Sequence, residues 1–337
     1  MIQPQLSVVV VAHNMSRELP RTVRSLSTAM QVGVGPADYE VIVVDNGSRC
    51  PCRAPVFAGS SPSPRLMQVE TANASPAPAA NLGIGAAQGN VVGVFIDGAR
   101  MASPGLLAGA LRAGLLHPRA VIATLGFHLG PDMQMKSVQR GYCQEIEDRL
   151  LKGVAWEADG YRLFDISAFA KSAAGGWFAP IAESNGIFMS RNLWAELDGF
   201  DARFVQPGGG LVNLDLYRRA CLAHDVQLVV LLGEGTFHQV HGGVATNASV
   251  SPWKPFHDEY VSLRGESFSV PQVEPLFLGH VRKPVLSSIA QSTRHDKAAS
   301  WVPPAIQQKS PAVSERNWLE LCALSGPTLS SIQQGVL

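Results

Sequence analysis

The stretch VVGVFIDGAR, which runs from Val91 to Arg100, decides the fold that this sequence predicts. Its apolar, largely β-branched half is typical of a strand buried on both faces, and that strand ends at one acid, Asp97. Ligands of open α/β sheets bind outside the carboxyl ends of the strands, so a carboxylate there indicates a metal or ribose ligand. Two residues further on, where a second acid would complete a pair, the chain has Ala99.

Strand-like and helix-like segments alternate on both sides of this stretch. Such alternation predicts an α/β fold with a mostly parallel central sheet flanked by helices. The apolar runs predict strands over residues 6–12, 39–45, 65–69, 91–96, 119–126, 186–190 and 226–232. Helical spacing predicts helices over 17–30, 79–88, from Ser103 onward, and over 142–151, 191–197, 212–222 and 253–265.

The composition excludes several classes of protein. The 27 basic and 27 acidic side chains balance, whereas a nucleic-acid-binding protein normally carries a basic surface, so we expect no nucleic-acid partner. Five cysteines, an odd number, predict reduced thiols and a cytoplasmic location. No apolar run approaches the ~20 residues that span a bilayer, and no signal peptide is visible, so we expect no transmembrane segment.

Polar residues follow the first two strands. Ala12, His13 and Asn14 come at the end of the first strand, and Asp45 ends the second, where such groups can hold a nucleoside. The sequence DNGS is also typical of a turn, and that alternative has equal weight. Asn81 opens a helix rich in small residues, which indicates either a close ligand or close packing against the sheet.

Taken in order, VVVVAHN, VIVVDNGS, NLGIGAAQGN and VFIDGAR resemble the nucleotide-sugar half of a family 2 glycosyltransferase with the GT-A fold. The resemblance continues through LDGFDARF and GGGLVNLDLYRRA and covers roughly residues 5–240. It implies a transferase that moves a sugar from a nucleoside diphosphate sugar to a glycan or small-molecule acceptor, with inversion in most members. It also implies Mg²⁺ or Mn²⁺ as cofactor and a role in polysaccharide biosynthesis. We include a homo-oligomer among the expected assemblies.

The resemblance assigns roles residue by residue. Asn14 and Asp45 match contacts to base and ribose, and Asp97 matches the first acid of the DxD motif. The remaining residues of the expected nucleotide-sugar site are Ala12, His13, Asn81, Gly98, Ala99 and Arg100. In the acceptor-site motif, Asp215 matches the last acid, while Val212 and Asn213 lie where the family usually has an acid pair, one of which acts as the base.

These departures require other residues to carry the chemistry. A leaving diphosphate needs positive charge, so we expect a metal held by Asp97 with His238 and His241 of GTFHQVHGG, which follows a strand. Turn or core roles are the alternative for these histidines, and Arg100 is an alternative source of charge. The acceptor hydroxyl needs a base, for which Glu183 in PIAESNGIF is the first candidate.

Asp215 is the second candidate base, with ion pairing to Arg218 or Arg219 as the alternative. We expect a GT-A domain over residues 1–245, with a nucleotide-sugar half (1–125) and an acceptor half (126–245). A helical extension over 246–285 and a poorly ordered tail over 286–337 would follow.

Two other functions remain open from the sequence. A nucleotidyltransferase would want a Gly- and Lys/Arg-rich loop after the first strand, and residues 12–17 offer only Arg17. A non-catalytic nucleotide-sugar-binding protein is favoured by the missing acids at Ala99 and Asn213.

Overall fold

A computed structural model of the chain describes residues 3–70, 72–243 and 252–293. Its strands are β1 (Leu6–Ala12), β2 (Tyr39–Asp45), β3 (Arg65–Gln68), β4 (Val91–Phe95), β5 (Arg100–Ala102), β6 (Ala120–Leu129), β7 (Ser167–Phe169), β8 (Ile187–Ser190), β9 (Gln227–His238) and β10 (Leu276–Gly279). Its α-helices are α1 (Leu19–Ser25), α2 (Ala77–Ala86), α3 (Leu106–Leu116), α4 (Gln134–Gln139), α5 (Gln144–Val154), α6 (Arg191–Glu196), α7 (Val212–Leu222), α8 (Trp253–Arg264) and α9 (Leu286–Ser292).

All of these strands join one sheet. Its main path runs β10-β9-β6-β8-β4-β1-β2-β3, with β5 beside β9 and β7 beside β6. The pairs β1/β2, β1/β4, β2/β3, β6/β9 and β9/β10 are parallel, while β8 runs antiparallel to both of its neighbours. The predicted α/β class with a mixed, mostly parallel central sheet is therefore confirmed.

The core lies on both faces of the sheet, which explains the continuous apolar runs. Along β1, Val9 and Val11 pack on one face with helix α2, and Val8 and Val10 pack on the other with helices α1 and α3. Helix α2 approaches the sheet so closely that a Cβ on Gly83 would lie 2.3 Å from Val9 Cγ1. Its small residues therefore serve helix–sheet packing, one of the two roles that the sequence left open.

Two elements differ from the predicted ones in a way that shapes the site. Strand β9 continues through His238, whereas the sequence predicted an end at 232, because Gly and Glu in LGEGTFH are typical of a turn. Strand β5 follows Asp97 directly and pairs antiparallel with this second half of β9. Tertiary pairing overrides local propensity at both places.

The C-terminal part that the structure describes packs on the same sheet. Helix α8 buries Phe256 and Tyr260, and β10 adds a parallel strand with Leu276 opposite Val229. Residues 294–337, most of the predicted tail, lie outside the described residues, and the domain boundaries stay a prediction. Within the described ranges, none of the helices has the length and apolar character to cross a bilayer.

Candidate functional site

The site forms where strand β4 ends and strand β5 turns back along β9. This return sets Arg100 opposite His238 in the antiparallel register and carries His238 to Asp97, 141 residues away in the sequence. His238 Nε2 lies 2.8 Å from Asp97 Oδ2, and His241 Nε2 lies 3.5 Å from the same oxygen. The two Nε2 atoms are 3.1 Å apart, so three potential ligands converge on one point.

The atoms that surround these three groups orient them for a cation. His238 Nδ1 lies 2.5 Å from Gln134 Oε1 on helix α4 and donates its proton there, which leaves a lone pair on Nε2. Asp97 Oδ1 accepts a hydrogen bond of 3.0 Å from the Ala99 amide, which leaves Oδ2 to face the histidines. Two imidazole nitrogens and one carboxylate oxygen then share a small space, an arrangement that fits a divalent metal ion.

Burial and the contacts within the cluster shift the pKa values of all three groups. Burial lowers the pKa of His238 to about 4, so its imidazole is neutral and available as a ligand. Burial alone would raise the pKa of Asp97, but His241 and His238 outweigh it and hold that pKa well below its usual range. Burial likewise opposes the charged form of His241, yet the Asp97 carboxylate raises its pKa overall.

Gly98 and Ala99 contribute backbone and no ligand side chain. The Ala99 side chain is fully buried in an apolar cluster with Met15 and Leu19, and its carbonyl accepts a hydrogen bond of 2.9 Å from the Gln239 amide. Gly98 packs against β1, where an added Cβ would lie 2.8 Å from the Val11 carbonyl oxygen. An acid at position 99 would lie in apolar surroundings, where a charged side chain is costly to bury.

Arg100 lies beside the cluster and lacks its usual partners. Only 7% of the residue is exposed, and within the described part of the chain its Nε and Nη1 atoms have no hydrogen-bond partner. Burial lowers the pKa of Arg100, while Asp97 and Glu183 oppose that change. A buried guanidinium group whose N–H donors lack partners is suited to bind an anion.

The two candidate bases differ in their surroundings. Glu183 is half-buried, and its Oε2 accepts a hydrogen bond of 2.6 Å from Asn213 Nδ2 on helix α7. Asp215 is buried, and its two oxygens accept from Arg219 at 2.8 Å and from Arg264 at 2.6 and 2.8 Å. Asp215 therefore forms the ion pair with Arg219 that its helical spacing indicated, and this favours a structural role.

The expected nucleoside residues form a loop network at the ends of β1 and β2. Asp45 accepts hydrogen bonds of 2.8 Å from the amides of Ser48 and Cys52, and the carbonyl of Ala12 accepts one from the Asn46 amide. His13 Nδ1 bonds the Asn46 carbonyl at 2.9 Å. Their polar atoms thus stabilise the turn, the alternative that the sequence left open.

Asn14 and Asn81 are engaged in a similar way. Asn14 has a left-handed backbone (φ 54°), and its side-chain oxygen accepts from the Arg49 amide at 2.8 Å. The Asn81 amide bonds both the carbonyl and the amide of Phe200, at 2.7 and 2.9 Å. Asn81 therefore links helix α2 to the turn that follows helix α6.

Sequence reasoning missed the residues that support the histidines. Gln134 bonds His238, and Glu147 on helix α5 accepts a hydrogen bond of 2.9 Å from the Val240 amide, next to His241. Both lie in the segment with the weakest periodicity, and no motif marks them. A cavity of about 420 Å³ opens beside His241, with Tyr142, Gln144 and Glu145 among its lining residues.

The mostly parallel sheet, with a polar site outside its carboxyl edge, defines a GT-A-like α/β protein. The sequence profile described as "Glycosyl transferase family 2" matches residues 7–171 of the chain.

One solved structure supports the fold. The chain is similar to the crystal structure of S. aureus TarS 1-349 in complex with UDP-GlcNAc (TM-score 0.50, 17% identity), over 76% of this chain and 64% of that one. The match to S. aureus TarS 1-349 has a TM-score of 0.48 at 17% identity and spans 70% and 60% of the two chains. The matches thus span less than two thirds of the TarS chains. No curated protein matches the sequence.

Proposed function

We propose that this protein is a glycosyltransferase that moves a sugar from a nucleoside diphosphate sugar to an acceptor hydroxyl by direct, inverting displacement. The observation that carries the proposal is the convergence of Asp97, His238 and His241 beside the unpartnered guanidinium of Arg100. The match of residues 7–171 to the family 2 glycosyltransferase profile favours glycosyl transfer over nucleotidyl transfer. UDP-GlcNAc in the similar TarS structure makes UDP-linked sugars the first donors to test.

Positive charge for the leaving diphosphate is the first requirement of the reaction. A divalent ion held by Asp97, His238 and His241 would neutralise the charge that develops on the diphosphate. Arg100 donates from Nε and Nη1 to phosphate oxygens, a charge-assisted contact that replaces its missing partners. Asp45 and Asn14 line the nucleoside end, where each carboxylate or amide oxygen keeps a second lone pair for the base and ribose.

Proton removal from the acceptor is the second requirement. Glu183 serves as general base: Oε2 accepts from Asn213 Nδ2, and Oε1 takes the proton of the acceptor hydroxyl. The hydroxyl oxygen forms a bond to the anomeric carbon as the bond from that carbon to the diphosphate oxygen breaks. The bonding electron pair leaves with the diphosphate. Asn213, which stands where the family has an acid, positions the base.

A test of Glu183 separates chemistry from binding. Glu183→Gln keeps the hydrogen bond to Asn213 and removes the proton acceptor, so kcat should fall by roughly 10²–10⁴-fold while donor KM changes little. Donors are first ranked by calorimetric titration of UDP-, GDP- and TDP-linked sugars. Asp198→Asn, at an acid in the turn after α6 that the mechanism does not use, is the matched control. Unchanged kcat in Glu183→Gln would refute this assignment.

A non-catalytic nucleotide-sugar-binding protein is the second candidate. The buried Ala99 and the amide of Asn213 favour it, since both replace acids of the family pattern. Binding of a nucleoside diphosphate sugar with no release of nucleoside diphosphate, across Mn²⁺, Mg²⁺ and chelator, would support this candidate. Release above the uncatalysed rate would contradict it. Cytoplasmic polysaccharide biosynthesis is the setting we propose for either protein.

A further inference from the structure

The donor atoms of the Asp97 cluster differ in chemistry from a pair of carboxylates. Two of the three atoms that converge are imidazole nitrogens, and one is a carboxylate oxygen. Mg²⁺ prefers oxygen ligands and keeps several waters, whereas imidazole suits the later transition ions. Position 99 is an alanine, fully buried in an apolar cluster, so it offers no second carboxylate. The site therefore lacks the oxygen ligands that Mg²⁺ prefers.

The spacing of the three atoms matches ligands of one small ion. Atoms bound at about 2.1 Å lie about 3.0 Å apart at neighbouring octahedral corners and about 3.4 Å apart at tetrahedral ones. The observed separations are 2.8, 3.1 and 3.5 Å. One ion can therefore reach Asp97, His238 and His241 without movement of the backbone.

Hydrogen bonds within the protein hold the three ligand residues in this arrangement. Gln134 fixes the proton of His238 on Nδ1, and the Ala99 amide fixes Asp97. The two residues before His241 are held in place, since the Val240 amide donates to Glu147 and Gln239 Nε2 donates to the Glu18 carbonyl. Three preorganised protein ligands suffice for tight binding of an ion before the diphosphate adds oxygens.

We propose that Asp97, His238 and His241 form a resident transition-metal site that prefers Zn²⁺ to Mn²⁺ and Mn²⁺ to Mg²⁺, and that fills before the nucleotide binds. The inference rests on the proposed function only for the role of the ion in sugar transfer. The preference among metal ions follows from the donor atoms alone. The proposal narrows the expected choice between Mg²⁺ and Mn²⁺, because it ranks Mg²⁺ last. The Mn²⁺ and Zn²⁺ ranking follows the general affinity order of divalent ions at nitrogen-containing sites.

The test is calorimetric titration of the full chain, first stripped with a chelator, with ZnCl₂, MnCl₂ or MgCl₂ and with no nucleotide present. We expect one Zn²⁺ per chain, bound at least about 100-fold more tightly than Mg²⁺, with Mn²⁺ between them. His238→Ala and His241→Ala should each weaken Zn²⁺ binding by about 100-fold or more. Gln134→Leu, which removes only a supporting contact, should weaken it by about 10-fold. His224→Ala, at an exposed histidine outside the cluster, should leave the isotherm unchanged.

Equal affinity for Zn²⁺ and Mg²⁺, an unchanged Zn²⁺ isotherm in both histidine variants, or saturable binding only after UDP is added would each overturn the proposal. Circular dichroism checks that each variant is folded, and the visible absorption of bound Co²⁺ gives a second readout of nitrogen ligation. Sugar transfer is measured on the same samples. Tight Zn²⁺ binding without any transfer supports this inference and contradicts the proposed function, whereas transfer without metal affinity does the reverse.

Discussion

The two polar regions at the carboxyl edge of the sheet differ in how well their groups are satisfied. At the ends of β1 and β2, both oxygens of Asp45 accept hydrogen bonds from backbone amides of their own loop. In the second region, the Asp97 carboxylate and two histidine nitrogens converge on one point. Beside them, the buried Arg100 has N–H donors without partners in the described part of the chain. The polar groups of the first region are paired within the folded chain, whereas the second region has groups suited to a cation and an anion.

The largest expected effect is on catalysis at the incomplete region. Asp97→Asn keeps the size of the side chain and the contact with the Ala99 amide but removes the charge that binds the cation. We expect kcat/KM for sugar transfer to fall by roughly 10³-fold, a loss typical of removing one transition-state contact. Steady-state kinetics with the best donor measure this. If kcat/KM of the variant stays within tenfold of wild type, Asp97 does not supply the main stabilisation of the leaving diphosphate. Arg100 would then be the next residue to replace.

The sequence predicted the meeting of Asp97 and His238 from motif order but could not predict its geometry. Strands β1, β2 and β4 were predictable because they are buried on both faces and read as apolar runs. Strand β5 begins with Arg100, has three residues, and exists through its pairing with β9. Gln134 and Glu147 act through contacts that only the folded chain creates, so no local pattern could mark them.

The second effect concerns Asp215, the other acid of the resemblance. Asp215→Asn removes the charge that Arg219 and Arg264 share, which leaves the partly buried guanidinium of Arg219 without a carboxylate and that of Arg264 with Asp201 alone. We expect the free energy of unfolding to fall by roughly 3 kcal/mol, because a broken buried ion pair is strongly destabilising. The kcat per folded molecule should stay close to that of wild type. Chemical denaturation and active-site-normalised kinetics measure the two quantities, and a specific loss of kcat would restore Asp215 as a catalytic candidate.

The third effect is a pH dependence of stability that Glu147 imposes behind the His241 loop. Burial raises the pKa of Glu147 to about 7, although the Val240 amide and Arg17 favour its charged form. A raised pKa in the folded state adds stability that is fully present below pH 4.5 and is lost as the pH rises through about 7. The two limits differ by about 3 kcal/mol.

Glu147→Gln isolates this contribution from the histidines that titrate in the same range. Its amide keeps the shape of the protonated acid and does not titrate. Relative to this variant, wild type should lose stability from pH 4.5 to pH 8, as followed by urea unfolding at each pH. Parallel curves for the two proteins would mean that folding does not raise the pKa of Glu147.

The smallest effect distinguishes the two regions by stability alone. Asp45→Asn turns an amide group toward the backbone N–H of Ser48 or Cys52, so one hydrogen bond is lost and two donors face each other. We expect about 1 kcal/mol of destabilisation. In the metal-free protein Asp97→Asn should cost more than Asp45→Asn, because His238 and His241 hold the pKa of Asp97 well below its usual range and so stabilise its charged form. Thermal unfolding of both variants after chelator treatment decides this: a smaller loss in Asp97→Asn than in Asp45→Asn would mean that the histidines do not stabilise the Asp97 carboxylate in the absence of a metal ion.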